Sequence, residues 1–276
     1  MDMPRDIPKI ANHLRNCLDN SVPADRQRMR RISKADDDQV PLGRITGFAH
    51  GGANRPVITR GSLHLRFLLA SAKTGRSQVG EGRAEELLAM TCEVDGRALS
   101  YRTHPCEIAM AISKRAFSYR PDLLIVWRDE RIEMVEVKRT PHDLTDDLRE
   151  KLPLVKEFLR RCDIEFSIRY LDDIRGSKFR PRNVANLFGR RAMKLAPEQK
   201  ALAQLVRTKG EPIAWRALAD LVSPGNRLIG NATVEHLLAS GAFITDLDAR
   251  FNDDTQLIPT ADVKCPIIPF LEGDVL

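Results

Sequence analysis

The stretch PDLLIVWRDERIEMVEVK, residues 121–138, decides how this chain reads. PDLLIVW (121–127) and IEMVEVK (132–138) are apolar runs of strand length, joined by the charged turn RDER. Side chains alternate along a strand, so Glu136 and Lys138 share a face, with Asp122 at the start of the preceding strand. Carboxylates so placed can hold a hard divalent cation against a scissile phosphate, and a lysine can orient water or stabilise developing charge. By itself PD…ExK recurs by chance in a chain that is 30% charged. Its weight comes from context: both halves sit on apolar strands, where an unpaired Glu-x-Lys would be costly to bury.

The register of this hairpin matters. A four-residue turn pairing Trp127 with Ile132 would set Asp122 opposite Val137, facing away from Glu136. A three- or five-residue connection, or a bulge, restores the shared face, because a one-residue slip exchanges every side chain. An irregular hairpin is therefore predicted.

Working outward, GRAEELLAMTCEV (82–94) reads as a helix. Leu88, Ala89 and Cys92 recur at helical spacing from Glu85, which turns Glu85 toward the core and makes it the candidate third carboxylate. Glu86 shares a more solvated stripe with Met90 and Glu93. SLHLRFLLA (62–70), CEIAMAI (106–112) and IEFSIRYL (164–171) read as strands. DLTDDLREKLPLVKEFLRRC (143–162) reads as a helix in which Pro153 predicts a kink or break. Residues 61–192 thus form one α/β unit. Residues 1–60 form a polar arm with a basic cluster (Arg26, Arg28, Arg30, Arg31, Lys34), solvated and open to phosphate contact. Within it GFAHGGAN (47–54) lacks the P-loop pattern. Residues 193–276 change character: PEQKALAQLVRTKG and WRALADLV read as helices, and TVEHLLASGAFITDL as a third running into a strand. Three short helices and a strand suggest a winged-helix-like module.

Composition narrows the classes. The chain has 276 residues, a net charge of +6 and 42% hydrophobic residues, which fits neither a membrane nor a disordered protein. No apolar run approaches the ~18 residues of a spanning helix, and the N-terminus lacks a signal-peptide pattern. A cytoplasmic protein without membrane contact is expected. The five scattered cysteines form no CxxC and the six histidines no HExxH, so neither a disulfide framework nor zinc chemistry is indicated. Arg120, Lys178, Arg180, Arg182, Arg190 and Arg191 cluster around the PD…ExK segment of this unit. Several suit a solvated surface; as a group they suit phosphate contacts with DNA. Aromatic residues at 5% argue against single-strand stacking.

GRAEELLAMTCEVDGRALSYRTHP, SYRPDLLIVW, MVEVKRT and LREKLPLVKEFLRRCDIEFSIRYLDDI together resemble the N-terminal domain of TnsA, the endonuclease subunit of heteromeric, Tn-seven-like transposases. The resemblance covers roughly residues 62–192. It implies an α/β, restriction-endonuclease-like PD-(D/E)xK core followed by a small helical, winged-helix-like C-terminal domain. It implies Mg²⁺ as cofactor, with Mn²⁺ as a substitute, metal ligation by Glu85, Asp122 and Glu136, and Lys138 as the catalytic lysine. The implied activity is nicking of double-stranded DNA at the 5′ ends of a transposon during cut-and-paste excision. A DDE-type transposase (TnsB-like) would cut and join the 3′ ends, and an AAA+ regulator (TnsC-like) would contact the C-terminal domain. Some relatives carry glutamine at the position of Glu136, and many carry it where this chain has His104, to which the sequence assigns no catalytic role. The competing readings are a stand-alone PD-(D/E)xK nuclease of restriction or junction-resolving type and a non-catalytic DNA-binding or assembly protein. The joint presence of Asp122, Glu136 and Lys138 argues against the latter.

Overall fold

The structure is a computed structural model that describes residues 42–47, 65–112 and 115–265. The basic cluster at 26–34, nearly all of the 1–60 arm and residues 266–276 lie outside the described residues. In chain order the strands and helices are β1 (Leu42–Gly47), β2 (Arg66–Ala70), β3 (Ser77–Glu81), α1 (Arg83–Val94), β4 (Ala98–Thr103), β5 (Cys106–Ile112) and β6 (Arg115–Tyr119). There follow β7 (Leu123–Trp127), β8 (Ile132–Lys138), α2 (Asp146–Arg161), β9 (Ile164–Tyr170), α3 (Leu171–Arg175) and α4 (Arg180–Arg190). The last are α5 (Pro197–Lys209), β10 (Ile213–Ala214), α6 (Trp215–Val222), α7 (Arg227–Ala239), β11 (Phe243–Ile244) and β12 (Gln256–Pro259). The α/β class expected from the sequence is the class observed.

The apolar runs of β7 and β8 are continuous because their sheet is covered on both faces. That sheet has the order β4-β7-β8-β9, antiparallel except for the parallel β8–β9 pair, which α2 connects. On one face Leu124, Val126, Ile132 and Met134 pack with Leu152, Val155 and Leu159 of α2, and with Ile108 and Met110 of a second sheet, β1-β5-β6. On the other, Leu123, Ile125, Val135 and Val137 pack with Leu88, Ala89 and Cys92 of α1.

The predicted irregularity is present in the β7–β8 hairpin. Val126, not Trp127, lies opposite Ile132, so the connection spans the five residues 127–131. The Trp127 amide donates to the Arg131 carbonyl (2.8 Å) and the Glu130 amide to the Trp127 carbonyl (3.1 Å). Glu130 takes the left-handed backbone (φ 71°) that closes such a loop. Asp122 therefore falls on the Glu136 side of the sheet.

One expectation is corrected. Pro153 does not break its helix: α2 is continuous from Asp146 to Arg161. Pro153 and Arg149 are both exposed, so the Arg149 carbonyl that loses its amide partner is left to water, while Leu152, Val155, Phe158 and Leu159 bury the opposite face. Of the strand expected at 62–70, residues 62–64 lie outside the described residues, and Arg66–Ala70 forms β2, paired with β3 in a hairpin.

The C-terminal elements add two short strands to the predicted three helices and a strand, forming a small antiparallel sheet β10-β12-β11. Helix α4, not expected from the sequence although its residues fall within the 61–192 unit, buries Val184 and Leu187 among Leu218, Val234 and Leu237 of this C-terminal group. Of the described cysteines none is in a disulfide; Cys92, Cys106 and Cys162 are buried and Cys265 is exposed. Among the described residues no helix is long and apolar enough to cross a membrane.

The two halves meet closely. Arg128, which also donates to the Gly96 carbonyl of its own half (3.0 Å), donates across to the Ala261 carbonyl (2.6 Å). Asn183 bridges the Leu247 and Ala249 carbonyls (2.9 and 2.8 Å). A Cβ on Gly96 would stand 2.7 Å from Ile244 Cγ2 and 3.0 Å from the Gly241 Cα. Gly96→Ala is therefore expected to lower stability by about 1–3 kcal/mol in urea denaturation of the full chain. An unchanged midpoint would mean that the halves separate without cost.

Candidate metal centre

Asp122 is fixed through its backbone and its side chain. Its amide donates to the Val135 carbonyl (3.0 Å), its carbonyl accepts the His104 amide (2.7 Å), and its carboxylate accepts the Val137 amide (2.7 Å). His104 occupies the two-residue turn between β4 and β5 and holds a left-handed backbone (φ 45°), unusual for a non-glycine residue. Glu85 comes from the first turn of α1, where a negative charge suits the helix dipole. Its Oε2 accepts the Glu81 amide (3.1 Å) and lies 3.5 Å from His104 Nε2. A Cβ at residue 80 would stand 2.8 Å from that same oxygen, so Gly80 leaves room for the carboxylate.

One donor atom from each of Glu85, His104 and Asp122 lies within 4.8 Å of the others. Glu136 stands apart from this trio. Its Oε1 is paired with Lys138 Nζ, and its Oε2 accepts the Tyr119 hydroxyl (2.5 Å). It is 4% exposed, so both oxygens are satisfied inside the protein.

The electrostatics follow from burial and crowding. Burial, then the charge of Asp122, pushes Glu85 from 4.5 up to about 8. Burial, then Glu136, pushes Asp122 from 3.8 up to about 7. Burial alone would depress Lys138, but the charge and hydrogen bond of Glu136 outweigh it and hold the ammonium above its ordinary value. Two acids and an imidazole gathered in a half-buried cluster, with burial and mutual repulsion favouring the protonated acids, form a donor set that fits a divalent cation.

The sequence-predicted site residues are thus brought together in two adjoining groups, Glu85 with Asp122 and Glu136 with Lys138. His104 and Tyr119 were not selected from sequence. His104 carried a signal in its place before Pro105, just after the glutamate helix and its following strand; Tyr119 carried none. The six cationic residues assigned to DNA are placed variously. Arg120 is engaged by Glu107 (2.6 Å), Arg190 by Glu235 (2.9 Å) and Arg180 by Asp248. Arg191 lies over the Phe188 ring (3.6 Å) and Lys178 over Phe179 (5.2 Å). Arg182 lines a depression of about 650 Å³ with Trp215, Arg227 and Arg250. A second depression, of about 600 Å³, is lined by Trp127, Arg128 and Arg169. None of the trio lines either one. No protein-family model matches this chain, and no curated protein matches it.

The raised acid has a signature in stability. Between about 4.5 and about 8 the folded chain holds a proton on Glu85 that the unfolded chain has released. That contribution is complete below the lower value and lost as pH rises through the upper one. In chelator, Glu85→Gln should match the wild type at acid pH and exceed it at pH 9 by on the order of 2 kcal/mol. Parallel pH profiles of thermal unfolding would show that Glu85 is already ionised in the folded chain at neutral pH.

Proposed function

We propose that this chain is a divalent-metal-dependent DNA endonuclease with a restriction-endonuclease-like PD-(D/E)xK core, acting as the TnsA-type subunit of a heteromeric transposase. The observation that carries the reading is the convergence of Glu85, Asp122 and His104 beside the Lys138–Glu136 pair. The element order supports it: a helix bearing one acid, a hairpin bearing the next acid and the Glu-x-Lys, then a helix and a parallel strand.

Each residue has a distinct task in this reading. Glu85 and Asp122 hold the cation, Mg²⁺ or Mn²⁺, and are ionised once it is bound. The cation when bound would polarise the phosphodiester and make its water a better nucleophile. Lys138 keeps its proton, because Glu136 stabilises the ammonium. It therefore acts as a fixed positive donor toward the attacking water or the phosphate oxygens, and not as a base. Glu136 positions that lysine and is itself held by Tyr119.

The C-terminal order α5-β10-α6-α7-β11-β12 suits a winged-helix-like module. At the start of α7, Leu228 is 84% and Ile229 47% exposed, while Arg227 is paired with Asp253 (2.7 Å). An apolar helix start of this kind favours a protein partner over a DNA groove, in keeping with docking of an AAA+ regulator.

The reading is tested by recovering the tagged chain with its bound proteins and assaying the assembly for nicking of double-stranded DNA. A DDE-type recombinase and an AAA+ ATPase should co-purify. Lys138→Ala and Asp122→Asn should each lower nicking by about 100-fold or more without unfolding the chain. Cutting by either variant at the wild-type rate would refute the site. Cutting by the isolated chain, with no recombinase recovered, would identify a stand-alone nuclease.

A further inference from the structure

We infer that His104 is itself a metal ligand, and that its imidazole makes the centre prefer Mn²⁺ to Mg²⁺. The inference rests on the metal-dependent reading above and names one further ligand of that centre.

His104 Nε2 is 3.5 Å from Glu85 Oε2, and the donor atoms of all three residues lie within 4.8 Å of one another. Two ligands of one cation with bonds of about 2.1 Å stand roughly 3 Å apart when adjacent and about 4.2 Å apart when opposed. The trio thus needs only small side-chain adjustments to share an ion.

The backbone supports the same role. His104 is held at φ 45° in a two-residue turn, and its amide is bonded to the carbonyl of Asp122 (2.7 Å). Strained backbone of this kind persists where the surrounding structure enforces it, and here it ties the histidine directly to a second member of the trio. The imidazole is 22% exposed, so the centre remains open to water and substrate.

Ligand chemistry then sets the preference. Mg²⁺ binds oxygen, demands near-ideal octahedral geometry and keeps its waters. An imidazole nitrogen draws the site toward transition metals, and two carboxylates keep it within the range of Mn²⁺. The rival role for His104 is a simple ion-pair partner of Glu85, which would leave the choice between the two cations unaltered.

The test uses the full chain with MnCl₂ alone and MgCl₂ alone, read by calorimetry and by pulsed electron paramagnetic resonance of bound Mn²⁺. Wild type should bind Mn²⁺ more tightly than Mg²⁺ and show nitrogen coupling from one imidazole. His104→Asn suits the left-handed backbone, so the fold is preserved. It should lose the nitrogen coupling and retain Mg²⁺ binding. It should also lose at least the roughly 10-fold in Mn²⁺ affinity that removal of even an outer partner costs. Mn²⁺ bound without nitrogen coupling, or an unchanged Mn²⁺-to-Mg²⁺ ratio in the variant, would overturn the inference and leave the metal centre standing. Failure of wild type to bind either cation would overturn the metal-centre reading and this inference with it.

Discussion

Asp122 joins three segments at one residue: its amide to the β8 carbonyl of Val135, its carbonyl to the amide of His104, and its carboxylate to the amide of Val137. These bonds fix the β4–β5 turn against the open end of the β7–β8 hairpin. They also set the spacing of the acidic groups, since Glu85 arrives on a helix packed across the sheet and Glu136 lies on the neighbouring strand. The five-residue hairpin connection makes this possible, because a one-residue change in register would turn Asp122 to the other face.

The gathered acids stand out against the other buried charges. Glu133 is surrounded by donors, accepting Trp127 Nε1 (2.8 Å), the Ser167 hydroxyl (2.6 Å) and the Arg169 guanidinium (2.7 Å). Glu93 accepts Ser71, Tyr101 and the Ala72 amide at 2.6–2.9 Å. Lys73, which burial pushes down to about 8, donates to the Cys92, Asp95 and Ala98 carbonyls where α1 gives way to β4, each at 2.7 Å. In each of these a buried polar group is answered by partners of opposite character, and the result is structural. Around Glu85 and Asp122 the neighbours instead include further acids, which raise both groups. Repulsion of this kind costs stability in the metal-free chain and would be relieved by a cation, which is why the cluster reads as a site.

The hairpin and the acid-bearing helix were legible because their patterns are strong: two apolar runs around a charged turn, and Leu88, Ala89 and Cys92 in helical phase with Glu85. The register was legible only as a choice, since RDER fits several connections and glutamate gives no warning of the left-handed backbone at Glu130. Strand β4 escaped notice because a register shift between Ala98 and Ser100 breaks its alternation. Helix α4 was hidden by its arginines, which mask the Val184 and Leu187 that it buries. Pro153 signalled a break, but its exposed position lets water satisfy the carbonyl it orphans. The ligand role of Glu136 expected from the PD…ExK pattern meets a competing arrangement that no strand pattern encodes: Tyr119 reaches it from the end of β6, on a different sheet.

The most direct measurement is anomalous diffraction from crystals of the full chain grown with Mn²⁺. An anomalous peak is expected within bonding distance of the Glu85 and Asp122 carboxylates and the His104 imidazole, with Lys138 still paired to Glu136 beside it. Ordered Mn²⁺ elsewhere with none among these three residues, or no bound Mn²⁺ at all, would contradict it.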